Sequence, residues 1–331
     1  MTTDVFKSLI PLFEQKSNLD SIKDFHEKVN LTFHNIEAKY YDKIHAEMWI
    51  NLPEQIDRII NHLCAWLDKQ KIQKIKVLDL GCGTGLAAQL LIDSLVGRKI
   101  ASVFLLDPSH AMLERANKRS LKWNIPIISK CGYIEDVNEK FDLIITSSVL
   151  HHIPDIPKFI SEIENRLNAN GVFISLHDPL AEAIDSKTYQ NRTARLIQTT
   201  RANFKNRTLK QRITGKIIRM LKGNIKLETY IAEVNQELIH LNVINSHLTP
   251  AEIWSITDIH VEGLPYSANN GISLKNLEES VKGLSLAYFN TYCFFGTLKS
   301  DLPEEYMVEE DNLSLTDDKF GRNFNSMWIR K

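Results

Sequence analysis

Ile75-Lys76-Val77-Leu78-Asp79-Leu80-Gly81-Cys82-Gly83-Thr84-Gly85 decides how the chain folds. Its first six residues read as a short apolar strand. The strand runs into three glycines at alternate positions, and Leu86 onward reads as a helix. A turn from strand into helix brings backbone N–H groups to the helix start, where they face any ligand. Glycine accepts positive φ and lets a ligand come close to the backbone. A dinucleotide fingerprint needs G-x-G-x-x-G. Here the third glycine arrives one residue early and position 86 is leucine, so no pyrophosphate signature is present.

Further along, strands and helices alternate. Strands are expected at Ala101–Asp107, Pro126–Ser129, Phe141–Ser147 and Val172–Leu176. Between them lie helices over Ala111–Arg119, with Ser109 as N-cap, and Ile156–Leu167, closed by Asn170-Gly171. This alternation predicts an α/β fold with a doubly wound, mostly parallel sheet. Ligands of such sheets lie at the carboxyl ends of the strands. Asp107 ends the second strand about 22 residues past the turn, where an acid can accept hydrogen bonds from both ribose hydroxyls.

Four ordered segments resemble the motifs of class I S-adenosylmethionine-dependent methyltransferases. They are Val77–Gly85, Leu106-Asp107-Pro108-Ser109-His110-Ala111-Met112-Leu113, Phe141–Asp155 (with Leu150-His151-His152-Ile153-Pro154), and Asn170-Gly171-Val172-Phe173-Ile174. The third is similar to the small-molecule branch. The resemblance covers about residues 75 to 178. It implies a seven-stranded Rossmann-like sheet and S-adenosyl-L-methionine as cofactor. Gly81, Cys82, Gly83 and Gly85 would line the methionine part and Asp79 would reach its amino group. Asp107 would hold the ribose, and Met112 or Pro108 would pack on the adenine. Ile134 and Glu135 would lie at the adenine edge, and Ser147 would approach from strand four. The family's acid after the glycine equivalent to Gly132 is here Tyr133, so Glu135 or Asp136 is expected to serve the adenine amine.

Methyl transfer is an in-line displacement in which the enzyme mainly positions the nucleophile. A hydroxyl nucleophile also needs a base. His177, His152 and His260 are the candidate catalytic residues, with His151 and Asp178 beside them. Tyr41 and His45 are candidates to close over the cofactor. The plainer readings are a strand-capping His152 and a packed Tyr41. No metal site is expected: His151 and His152, adjacent on a turn, have poor chelating geometry without a nearby third ligand.

The organisation expected is a helical cap over 1–70, a cofactor-binding core over 71–178, an inserted helical lid over 179–270 and the rest of the core sheet over 271–331. Apolar spacing predicts a helix around Ile56–Leu67 with Pro53 in its first turn. It also predicts lid helices around Leu209–Leu221 and Leu227–Leu241, and late strands over Leu286–Phe295 and Asn325–Arg330.

Hydrophobic residues make up 43% and the net charge is −1, so no global electrostatic case for nucleic acid exists. The four cysteines form no CxxC pair, and the first twenty residues lack a basic region followed by an apolar run. A cytoplasmic protein is expected. Charge is uneven: residues 186–227 hold twelve Lys or Arg and no acid. Such a segment suits a carrier protein or an anionic membrane surface. Alternatively it packs on the acidic run 301–318. The expected substrate is a small organic acceptor: a lipid, quinone or secondary metabolite. Two other functions fit the same motifs: cofactor chemistry without methyl transfer, as in a cyclase or decarboxylase, and a non-catalytic binding module.

Overall fold

The computed structural model describes residues 5–205, 227–316 and 319–330. Seven strands form one sheet in the order β3-β2-β1-β4-β5-β7-β6. They are β1 (Ile75–Leu80), β2 (Ile100–Asp107), β3 (Ile127–Cys131), β4 (Phe141–Ser147), β5 (Leu167–Pro179), β6 (Leu284–Tyr292) and β7 (Asn323–Arg330). β1 to β5 pair in parallel, and β7 is antiparallel to both β5 and β6. Strand order reverses between β1 and β4, which opens a crevice beyond their carboxyl ends.

Side-chain alternation along the strands builds two cores. Val77, Leu105, Ile145 and Ile174 face a layer formed by α4 (Met48–Lys69), α5 (Leu86–Asp93) and α6 (His110–Ser120). Leu78, Phe104, Ile144 and Phe173 face α7 (Ile156–Arg166).

A third core joins the N-terminal helices to the segment inserted after β5. Leu12 of α1 (Ile10–Lys16) and Phe25, Val29 and Phe33 of α2 (Ile22–Glu37) are buried with residues of the insertion. After β5 come α8 (Ala181–Ile184), α9 (Lys187–Lys205), α10 (Leu227–His240) and α11 (Pro250–Thr257). From these, Val234, Leu238 and Ile253 fill the third core. The chain leaves β5 at Pro179 and comes back beside it, where Leu180 and Ile272 form a parallel bridge.

Several local expectations need correction. α7 ends at Arg166, and Asn170-Gly171 lies inside the span of β5, with Asn170 at φ +61. α4 starts at Met48, so Pro53 sits inside the helix rather than in its first turn. β6 stops at Tyr292 because Cys293 turns the chain at φ +61. The buried Glu310 carboxylate of the late helix α12 (Glu304–Leu315) accepts the Cys293 and Phe294 N–H groups at 2.7 and 3.0 Å. The helix expected at Leu209–Leu221, and most of the basic run, lie outside the described residues. Of that run, Arg195 pairs with Glu309 at 2.6 Å and lies over the rings of Phe295 and Tyr306. Among the described residues, no helix is long and apolar enough to cross a membrane.

The shared third core predicts coupled stability. Leu238 is fully buried, and Leu238→Ala should cost about 2–5 kcal/mol. Hydrogen exchange should show amides of α2 losing protection together with those of α10, while β1 and β4 stay protected. Unchanged α2 protection would mean the cap folds without the lid.

Candidate active site

β1 and β2 are tied together at their carboxyl ends. Gly81 and Cys82 both donate their N–H to the Leu106 carbonyl, at 2.8 and 3.1 Å. That crossing turns the chain over the crevice and needs positive φ at Gly81 (+68), Gly83 (+51) and Gly85 (+80). A Cβ at Gly81 would lie 2.7 Å from Val149 Cγ2, while one at Gly83 would meet nothing within 4 Å. The turn is therefore packed from below and open above.

Two acids border the opening. Asp79 is almost fully buried; its Oδ2 accepts the Ala88 N–H at 3.1 Å, and its Oδ1 has no partner. Burial, aided by the charge of Asp107, pushes its carboxyl up to about 7. Asp107 accepts the Ser109 N–H on Oδ1 and the Gly83 N–H on Oδ2, both at 2.8 Å. Burial still raises it above the ordinary range. Met112, Cys82 and Ile134 are buried beside this edge. Pro108 follows Asp107, and its carbonyl accepts the Cys131 thiol at 3.3 Å. Ser109 caps α6 and donates its hydroxyl to Asn35 of α2 at 2.7 Å. Glu135 is ion-paired with Lys158 at 2.9 Å, and Asp136 accepts the Tyr133 N–H at 2.8 Å. Both acids expected at the adenine edge are thus engaged by protein groups.

The N-terminal segment closes one side. In α3 (Tyr41–Ile44), Asp42 accepts the Thr84 hydroxyl at 3.2 Å and pairs with Arg119 at 3.2 Å. Arg119 also donates to the Thr84 hydroxyl and carbonyl, and stacks 4.5 Å from the Trp49 ring. The Tyr41 and His45 rings lie 4.5 Å apart. His34 Nδ1 and His45 Nε2 each lie 3.2 Å from the buried Glu37 carboxylate. Burial opposes its ionisation, but the two rings outweigh that and hold Glu37 down to about 2.

Histidines from the ends of β4 and β5 adjoin this segment, the His152 ring lying 5.1 Å from that of His34. The fully buried Asp178 accepts the His151 Nδ1–H at 2.8 Å, the His151 backbone N–H at 3.2 Å and the Ser175 hydroxyl at 3.0 Å. With Nδ1 turned to Asp178, His151 Nε2 points away from it, toward Asp258. His152 Nδ1 lies 2.7 Å from the Thr257 carbonyl, and burial beside His151 drives its pKa well down. Asp258, at the end of α11, sits 3.2 Å from His152 Nδ1 and 3.9 Å from His151 Nε2. This is the third group that the sequence did not place near the histidine pair. His177 adopts φ +62; its Nδ1 bonds the Tyr292 hydroxyl, and Asn323 donates to the ring at 3.1 Å. Burial and the Arg322 charge lower it to about 3. His260 is 3% exposed, with Nε2 bonded to the Ile153 carbonyl at 3.0 Å and Nδ1 facing Asn269 at 3.1 Å. Ser147 ends β4, and next to it Ser148 stands at φ +57 with its hydroxyl buried and unpartnered.

Asp42, Glu37, His34 and Asp258 were all missed by reading the sequence. None has a local spacing that marks it, because α2, α3 and α11 reach the site only through tertiary packing.

The chain matches a family model described as a methyltransferase domain over residues 71–239. The ubiquinone biosynthesis O-methyltransferase of Bradyrhizobium diazoefficiens is 29% identical over 102 residues, covering 30% of this chain and 38% of that protein. The malonyl-[acyl-carrier protein] O-methyltransferase of Acetivibrio thermocellus is 28% identical over 117 residues, covering 35% and 40%. A solved structure of the cyclopropane synthase MmaA2 from Mycobacterium tuberculosis aligns with a TM-score of 0.40 at 14% identity, covering 78% of this chain and 79% of that one. The chain spans less than half the length of the two curated relatives. The glycine turn with its two acids and a family match over half of the sequence lead to one assignment: the chain belongs to the class I S-adenosylmethionine-dependent methyltransferase family.

Proposed function

We propose that this protein transfers the methyl group of S-adenosyl-L-methionine to a small organic acceptor. One observation carries the reading: a buried, unpartnered carboxylate oxygen of Asp79 beside an open glycine cradle. An orphaned buried acceptor is costly unless a ligand donor meets it, and the cofactor's ammonium is such a donor. Asp107 would take the ribose hydroxyls on the lone pairs its two backbone donors leave free. Gly81, Cys82, Gly83 and Gly85 would form the floor under the methionine part. Met112, Pro108 and Ile134 would enclose the adenine, with Ser147 at the inner end and Tyr41 closing from α3. Glu135, drawn to Lys158, would stand at the rim. The cofactor supplies an electrophilic sulfonium methyl.

The acceptor would enter from the histidine side. His177 and His152, kept neutral by burial, would meet it as hydrogen-bonding walls. His260 would brace the Ile153 loop from behind. The two curated relatives, both named O-methyltransferases, support an oxygen acceptor, carried in one case on an acyl carrier protein. Incubation with methyl-labelled cofactor and either a metabolite extract or acyl-loaded carrier protein tests this. Label should appear in one of the two acceptor pools. His177→Ala should bind cofactor normally and turn over more slowly. Cofactor binding with no label transferred to either pool would contradict methyl transfer.

Removing the ribose partner should be measurable without an acceptor. Asp107→Ala should weaken cofactor binding roughly 10- to 100-fold in calorimetry, as expected for losing hydrogen bonds to a charged group. Unchanged affinity would remove Asp107 from the site.

The Asp79 carboxyl gives a pH signature. Its raised pKa means that the ligand-free protein holds a proton there up to about 7. An ammonium neighbour favours the carboxylate, so binding should release that proton. Affinity should therefore rise with pH from about 5.5 to 7. Proton release should show as buffer-dependent binding enthalpy, and Asp79→Asn should abolish it. A wild-type affinity flat over this range would show that Asp79 does not meet the amino group.

A further inference from the structure

His151, His152 and Asp258 come from two chain segments, the loop after β4 and the end of α11, and converge on one point. One nitrogen of each ring and one Asp258 oxygen lie within 4.8 Å of one another. Ligands about 2.0–2.1 Å from a shared metal lie roughly 3.0–3.4 Å apart. The measured His152 Nδ1–Asp258 separation of 3.2 Å already has that value, and His151 Nε2 at 3.9 Å needs only a small approach.

Three features favour a cation over a simple proton acceptor. First, His151 Nδ1 is held by a buried carboxylate, Asp178, which itself is fixed by Ser175 and the His151 N–H. Metal-bound histidines are oriented by their second nitrogen in this way, and the arrangement raises the basicity of the ligating one. Second, His152 Nδ1 faces two oxygens at once, the Thr257 carbonyl at 2.7 Å and Asp258. A cation replacing the proton between His152 Nδ1 and the Thr257 carbonyl would gather both oxygens. Third, among the described residues no hydrogen bond reaches the Asp258 carboxylate; its close neighbours are the two imidazoles, whose ring centroids lie 4.0 Å apart. A base would need one ring. Two rings and a carboxylate make a ligand set.

We propose that His151, His152 and Asp258 bind a divalent transition cation, which presents an acceptor hydroxyl to the cofactor. Two imidazoles and one carboxylate suit zinc, iron(II), cobalt(II) or nickel(II) better than magnesium or calcium. The cluster follows Val149, which packs under Gly81, so it borders the cofactor end of the crevice. A hydroxyl on the cation would give its proton to water more readily. The oxygen would then form a bond to the methyl carbon as the carbon–sulfur bond breaks, leaving a neutral thioether. The role given to the cation rests on the methyl-transfer reading; the site itself does not.

Cobalt(II) is the probe, because its visible absorption reports nitrogen and oxygen ligation directly. Tag-free, chelator-treated full-length protein should take up one cobalt per chain and develop a visible band without cofactor. Asp258→Asn, which keeps the side chain's size, should weaken uptake at least 10-fold, and His152→Gln likewise. His110→Ala, on an exposed helix face, should bind as wild type does. No stoichiometric uptake, or equal affinity in wild type and Asp258→Asn, would overturn the site. Cofactor binding measured on the same samples separates the two readings. Cofactor bound without cobalt refutes this inference alone. Cobalt bound without cofactor refutes the proposed function and leaves the metal site standing.

Discussion

Everything in this site hangs on the place where the chain crosses the ends of β1 and β2. The Leu106 carbonyl receives two N–H groups from the glycine turn. That pair of backbone hydrogen bonds pins Asp79 and Asp107, which lie on neighbouring parallel strands, to the two sides of one opening. A residue with a Cβ at position 81 would collide with Val149 and break the crossing. Because both acids are buried, their ionisation is unfavourable in the free protein. A cationic, hydroxyl-bearing ligand removes that penalty, so the turn is a binding device before any other residue is considered.

The rest of the protein is arranged around that device. The helical cap and the helical insertion are far apart in sequence yet share one core, through Val29, Phe33, Val234 and Leu238. This shared core carries Glu37, His34, Tyr41 and Asp258 to the crevice. The cap is latched to the turn through Asp42, Thr84 and Arg119. The insertion places Thr257 and Asp258 against the histidine pair after β4. Backbone strain collects here as well: Ser148 and His177 both hold left-handed φ without being glycine. Such strain persists where surrounding structure over-determines it, commonly at functional sites.

Much of this was legible in the sequence, for a physical reason. Buried parallel strands announce themselves as short apolar runs, and β1 and β4 begin and end where those runs do. Asp79 is legible because the glycines mark the end of β1, and Asp107 because Pro108-Ser109 closes the apolar run of β2. Local punctuation misled where tertiary contacts override it. Asn170-Gly171 suggested a helix end, but the chain had already entered β5. Pro53 suggested a first turn, but α4 begins five residues earlier. The Asp258 partnership with His151 and His152 was not legible at all, since only the packing of α11 on α2 brings it there.

The central claim is that Asp79 and Asp107 define a cofactor seat over Gly83. A crystal structure with S-adenosylhomocysteine tests it most directly. The account predicts the ligand's amino nitrogen within hydrogen-bonding reach of Asp79 Oδ1 and both ribose hydroxyls on Asp107. A ligand lying elsewhere, with the Asp79 oxygen still unpartnered, would contradict it.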